Sequence, residues 1–257
     1  AEIERMSALL VGLSPDPRSN LKAGFRDPGT AIENMTLVAS LPKPTGFFDP
    51  ENPAGLPPKK PGEKEDEEGG DDDSRSPLLS FANTDLAFAG DLMAVGNYHG
   101  FNLYRLDAKG IPHQVSSVVC PGGQGDVSIV GDILIMSGEQ SRGRVDCGLQ
   151  GVSEDVSAER FRGLRVFDIS NPVRPVQVGQ VQTCRGSHTH SVVSSDEKSI
   201  IVYVSGTSSV RDEEELAGCV GDVPGDQRTA LFRIDVVEIP LADPSKSRII
   251  DRPAVFA

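Results

Sequence analysis

From Leu79 onward, apolar residues come in short bursts of alternating or unbroken character, and each burst is closed by Gly, Asp, Asn or Ser. That is the rhythm of short β-strands joined by tight turns, with no sustained 3.6-residue period of an amphipathic helix. Three segments superpose as repeats. The first runs from Asn83 to Gly96 through a Gly90-Asp91 turn and resumes from Gly100 to Asp107. The second runs from Gln124 to Gly138 through Gly131-Asp132 and resumes from Gly163 to Ser170. The third runs from His188 to Gly206 through a Ser-Ser-Asp-Glu turn and resumes from Ala230 to Asp235. Each unit predicts strand, turn, strand, loop, then a strand ending in Asp, with a fourth strand such as Pro175 to Val181. Repetition at roughly 40 residues plus insertions predicts an all-β fold of four-stranded β-propeller blades, because a sandwich would alternate without repeating.

Residues 1–80 read differently. Prolines such as Pro15, Pro17, Pro28, Pro42, Pro44, Pro57 and Pro58 interrupt them, leaving room for one strand, Met35 to Leu41. The division expected is therefore an irregular segment over 1–80 and a repeat region over 81–257.

Composition sharpens this picture. An apolar content of 37% with 27 Gly and 19 Pro suits strands and loops. The formal charge of −13 argues against a nucleic-acid binder, whose phosphate contacts require clustered Lys and Arg. Much of that charge sits in Glu63 to Asp73, eight acids against one base, which predicts a solvated loop. No run reaches the roughly 18 to 20 apolar residues of a membrane-spanning helix. Residues 1–13 hold only a short apolar patch, so an export signal is expected to have been removed.

Four widely spaced cysteines, Cys120, Cys147, Cys184 and Cys219, favour disulfides in an oxidising compartment over a metal knuckle. Cys120 precedes the second unit's inner strand and Cys147 lies in its insertion; Cys184 and Cys219 stand in the same relation in the third unit. This parallelism makes Cys120–Cys147 and Cys184–Cys219 the preferred pairs among three connectivities.

The segment Gly163-Leu-Arg-Val-Phe-Asp-Ile-Ser-Asn-Pro172, followed by Val-Arg-Pro-Val-Gln-Val-Gly179, resembles the LVIVD repeat. The likeness is close in the second unit, partial in the first (Phe101 to Asp107) and weaker in the third, covering about the last two thirds of the chain. The resemblance implies a β-propeller of a bacterial, exported and largely uncharacterised kind, and no particular activity. Three units do not close a propeller ring. The expectation is that blades continue beyond the last residue or are completed by another chain, with Met35 to Leu41 a candidate strand of a terminal blade.

Aligning the repeats also yields a candidate site. Asn83, Gln124 and His188 correspond, as do Asp85, Asp126 and His190 two residues on. Residues i and i+2 of a strand face the same side, so the six would ring one mouth of a central channel. His188 and His190 with Asp126 are ligand types for a divalent ion such as zinc, manganese, iron or calcium. The other reading is a polar ring bonded to itself and to water. His99 reads as a turn residue packed on Tyr98, and His113 as a surface loop residue.

The insertions Glu139–Arg162 and Thr207–Arg228 are polar and are expected above the same mouth. Asp146, Glu154, Asp155, Glu159 and Arg160 in one, and Arg211 to Glu215 in the other, either meet a partner or are solvated. No nucleophile elbow, phosphate loop or His-Glu-x-x-His motif occurs, and Gly122-Gly123-Gln124-Gly125 leads into a strand and reads as a turn. Asn34-Met35-Thr36 fits a glycosylation acceptor. The function expected is an extracytoplasmic binding or assembly module for a protein or cell-envelope partner. The alternative is a metal-dependent hydrolase or oxidoreductase built on His-x-His.

Overall fold

A computed structural model describes residues 16–24, 27–44, 47, 83–221, 223, 225–226 and 228–255. The chain forms two compact units, Ala1–Ser40 and Leu41–Ala257. In the first, a turn at 17–20 is followed by irregular backbone. The expected strand at Met35 to Leu41 is not formed: those residues have no ladder, and Met35, Leu37, Val38 and Leu41 are exposed. A strand exists only through its neighbours, and none of the described strands pairs with this segment. The acidic run 63–73 lies outside the described residues.

The second unit holds twelve described strands in three sheets. The first sheet is β1 (Asn83–Ala89), β2 (Leu92–Asn97), β3 (Gly100–Leu106) and β4 (Pro112–Val119). The second is β5 (Val127–Val130), β6 (Ile133–Gly138), β7 (Gly163–Asp168) and β8 (Val176–Gln182). The third is β9 (His190–Ser195), β10 (Ser199–Val204), β11 (Asp235–Pro240) and β12 (Arg248–Asp251). Every sheet is an antiparallel meander of consecutive strands. No helix of the described residues is long and apolar enough to cross a membrane.

One backbone clamp recurs in all three sheets. Leu106 N donates to Asp91 O, Ile169 N to Asp132 O and Leu241 N to Lys198 O, each at 2.8 Å. The turn between a sheet's first two strands thus receives the residue that ends, or directly follows, its third strand, which fixes a common register. Counting back six residues from each clamp aligns Gly100, Gly163 and Asp235. The third sheet's third strand therefore begins at Asp235, a correction to the expected Ala230–Asp235 strand.

Gly100 and Gly163 have φ of 135° and 146°, and a Cβ there would lie 2.0 and 1.9 Å from the carbonyl oxygens of Val118 and Val181. Gly163→Ala is expected to cost about 3 kcal/mol by urea denaturation, since both the φ and the approach of β8 forbid a methyl group. A loss below about 1 kcal/mol would show that β8 can yield.

Period-two alternation lets the middle sheet serve two cores. Leu134, Met136, Phe167 and Ile169 pack with Leu92, Ala94, Phe101 and Leu103 of the first sheet. Phe101 and Phe167 meet edge to face at 5.0 Å. Residues of the alternate parity, Ile133, Ile135, Leu164 and Val166, pack with Ile200, Val202, Val204, Val237 and Ile239 of the third. The sheets therefore stack face to face, with a wall of side chains on each side of the middle one.

Candidate functional site

One of the two aligned rows comes together. Asp85 Oδ2 accepts the Val127 amide at 3.0 Å, and Asp126 Oδ2 accepts the His190 amide at 2.9 Å. Each aspartate thereby pins the first strand of the next sheet. The Asp126 carboxyl also lies 2.8 Å from His190 Nδ1. Burial pushes the Asp126 carboxyl up, yet the His190 ring, its charge and its amide together hold it below the ordinary carboxylate value.

The proton order in this row follows from its acceptors. Ser187 Oγ donates to Thr189 O at 3.1 Å, so it accepts from Ser137 Oγ at 2.7 Å, and Ser137 in turn accepts from His190 Nδ1 at 2.8 Å. The His190 side chain is fully buried, and Nε2 has no partner among the described residues. Carboxylate and hydroxyl thus share one ring nitrogen. A nucleophilic triad requires them on opposite nitrogens, so this row does not activate Ser137.

The second row does not assemble. Asn83 is exposed, and among the described residues Gln124 contributes its backbone carbonyl, which accepts from Thr84 Oγ1. His188 lies in the loop before β9, where Nδ1 is 2.8 and 2.7 Å from the Glu139 carboxylate oxygens. Thr207 Oγ1 donates to that same carboxylate at 2.8 Å. The metal set of His188, His190 and Asp126 is corrected accordingly: the two imidazoles are held by different carboxylates on different loops. No group of three or more His, Cys, Asp or Glu among the described residues is placed to hold a metal ion. His99 belongs to the β2–β3 turn, its amide donating to Asn97 Oδ1, and His113 Nε2 lies 3.2 Å from Asp107 on the surface.

Both expected disulfides, Cys120–Cys147 and Cys184–Cys219, are present. Each fastens an insertion to the connector that precedes its sheet. Between these fixed points the loops are organised by arginine side chains that take up backbone carbonyls. Arg160 donates to Ser141 O at 2.6 Å, to Asp155 O at 2.8 Å and to Glu154 O. Arg165, fully buried on β7, lies 3.8 Å over the Phe161 ring and reaches Val145 O and Arg144 O. Burial, only partly offset by the Asp146 carboxylate, pushes its guanidinium down to about 10. Arg185 holds Ser208 O at 2.9 Å and Thr207 O at 3.3 Å.

The insertions face each other across a cleft of about 930 Å³. Its floor is Arg160, Arg162, Arg211, Glu215, Val152 and Cys219, and its exposed rim includes Ser153, Glu154, Asp155, Ser209, Asp212 and Glu213. Glu215 joins the two loops. Oε2 accepts from Arg160 and from the Ser157 amide at 2.9 Å, both in the first insertion, while Oε1 accepts from Arg211 in the second. Its carboxylate is 1% exposed.

No family model and no curated protein matches this chain.

The geometry is then the ground for a functional reading, and it moves attention from the histidines to the arginines. Sequence reasoning left Arg160, Arg211 and Glu215 as either partner contacts or solvated loop residues, and gave no role to Arg162 and Arg165. The available signal was the spacing Arg160-x-Arg162-x-x-Arg165 at the entrance to a core strand.

Proposed function

We propose that the three sheets are blades of an LVIVD-type β-propeller working outside the reducing cytoplasm. In this reading the protein is a binding and assembly module that docks a protein or cell-envelope component between its two insertions. The observation that carries the reading is the cleft itself, whose walls are fixed before any partner arrives by disulfides, by guanidinium-to-carbonyl bonds and by the Glu215 bridge. Pre-organised loops on a rigid scaffold avoid the ordering cost of binding. The clamp common to all sheets supports the blade reading, and the paired cysteines support the oxidising location.

Photo-crosslinking in the producing cells tests this. A photoreactive side chain at Ser153 or Asp212, on the cleft rim, is expected to yield one common adduct. The same group at Asp91 or Lys198, at the opposite ends of β2 and β10, is expected to yield none. Equal labelling at all four positions would sink the proposal.

A further inference from the structure

The cleft floor carries more positive charge than its partners neutralise. Arg160 and Arg211 divide the two oxygens of Glu215 between them. Arg162 is 5% exposed and has no carboxylate within ion-pairing distance among the described residues. One of its nitrogens donates to Ser209 O at 2.9 Å, and its Nε is buried without a partner among the described residues. Burial, followed by the charges of Arg160 and Arg211, pushes the Arg162 guanidinium below its ordinary value. Three guanidiniums thus face one carboxylate in a region withdrawn from water, where an unpaired ion is costly. The one side-chain hydrogen bond of Arg162 among the described residues, to Ser209 O, is a contact that a neutral amide could also make.

The rim has the opposite sign. Among the described residues, Glu154, Asp155, Asp212 and Glu213 are exposed around the entrance, against one base, Arg142. A polyanion is repelled at this entrance and a simple cation is repelled at the floor. A molecule with a carboxylate at one end and a cationic group behind it satisfies both.

Resting on the reading of the cleft as a docking surface, we propose that its floor binds the carboxylate of a zwitterionic ligand, with Arg162 as the principal partner and the rim acids holding the ligand's cationic group. The planar fork of Arg162 offers two parallel N–H donors to one carboxylate, and the ligand would supply the counter-ion the floor lacks. The carboxylate could be that of a free ω-amino acid or of an acidic side chain beside a lysine in a peptide. The recognition chemistry is the same.

Isothermal titration of the full chain tests this with 6-aminohexanoate, a capped Lys-Glu dipeptide, hexanoate, hexylamine and inorganic phosphate. At least one of the two zwitterions is expected to bind about tenfold more tightly than hexanoate, with hexylamine and phosphate weaker still. Whichever zwitterion binds better identifies the source. Arg162→Gln is expected to abolish the binding, and Arg162→Lys to keep the charge but lose about tenfold for want of the fork.

Thermal melting separates this from a structural role. Without ligand, Arg162→Gln is expected to melt above the wild type because it removes an unpaired buried charge, while the bound zwitterion raises the wild-type midpoint alone. No saturable binding of either zwitterion, or binding unchanged in Arg162→Gln, would overturn the inference. If rim crosslinking persists without zwitterion binding, the inference fails and the docking reading stands. If zwitterions bind but the rim gives no specific adduct, the docking reading fails and the ligand assignment stands.

Discussion

Glu215→Gln is expected to release both insertions at once, lowering stability by about 4 kcal/mol. The glutamine keeps the shape of the side chain but not its charge, so Arg160, Arg162 and Arg211 are left as three buried cations without a counter-ion. Breaking one partner of a buried ion pair costs far more than the pair contributes, because the desolvated charges remain behind. For a repeat region of this size the melting midpoint should fall by roughly 10 °C. Limited proteolysis should cut within 139–162 and 207–228 before it cuts any sheet, because the ties lost are those between loops. A midpoint within about 2 °C of the wild type would mean that water already reaches the cluster and screens it.

Replacing Cys184 and Cys219 together by Ser is expected to cost about 4 kcal/mol, and replacing Cys120 and Cys147 slightly less. The bridges span sequence separations of 35 and 27 residues, and in the chain-entropy model the longer loop gains more when closed. The first pair has a second role, since Cys184 and Cys219 form a small apolar cluster with Ala230 beneath the insertion, and serine would hydrate it. Thermal melts with and without reductant measure the effect. Reductant should lower the wild-type midpoint and leave the quadruple Ser variant unmoved. An unchanged wild-type midpoint under full reduction would show that the arginine network alone fixes the loops.

The sequence made the strands legible because a half-buried strand must alternate and a hairpin must turn on small residues, and both marks survive in β1 to β10. It misled where a local pattern lacked its neighbour. Met35 to Leu41 has strand composition but no ladder partner. Ala230 to Ile234 imitates a strand burst, yet Phe232 is exposed with φ of 60°, a conformation no strand residue adopts. The candidate site failed for a related reason. The i, i+2 rule holds within a strand, and β9 begins at His190, so His188 is on the preceding loop and free to turn to Glu139. Asp85, Asp126 and His190 were aligned by the repeat and do stand in one row. The cysteine pairing was readable because the two bridges occupy equivalent places in two repeats. Burial of Arg162 was not, since nothing in the composition of a polar loop tells which guanidinium will be covered by the loop opposite.

The meander topology has a consequence for how the chain is made. No sheet borrows a strand from a distant part of the sequence, and each bridge joins a connector to the insertion of the sheet that follows it. A chain delivered amino end first can finish one sheet and oxidise its thiols before the next pair of cysteines arrives. Both wrong connectivities need thiols from two repeats to be present together, so sequential emergence selects the native pairing without an isomerase to correct it.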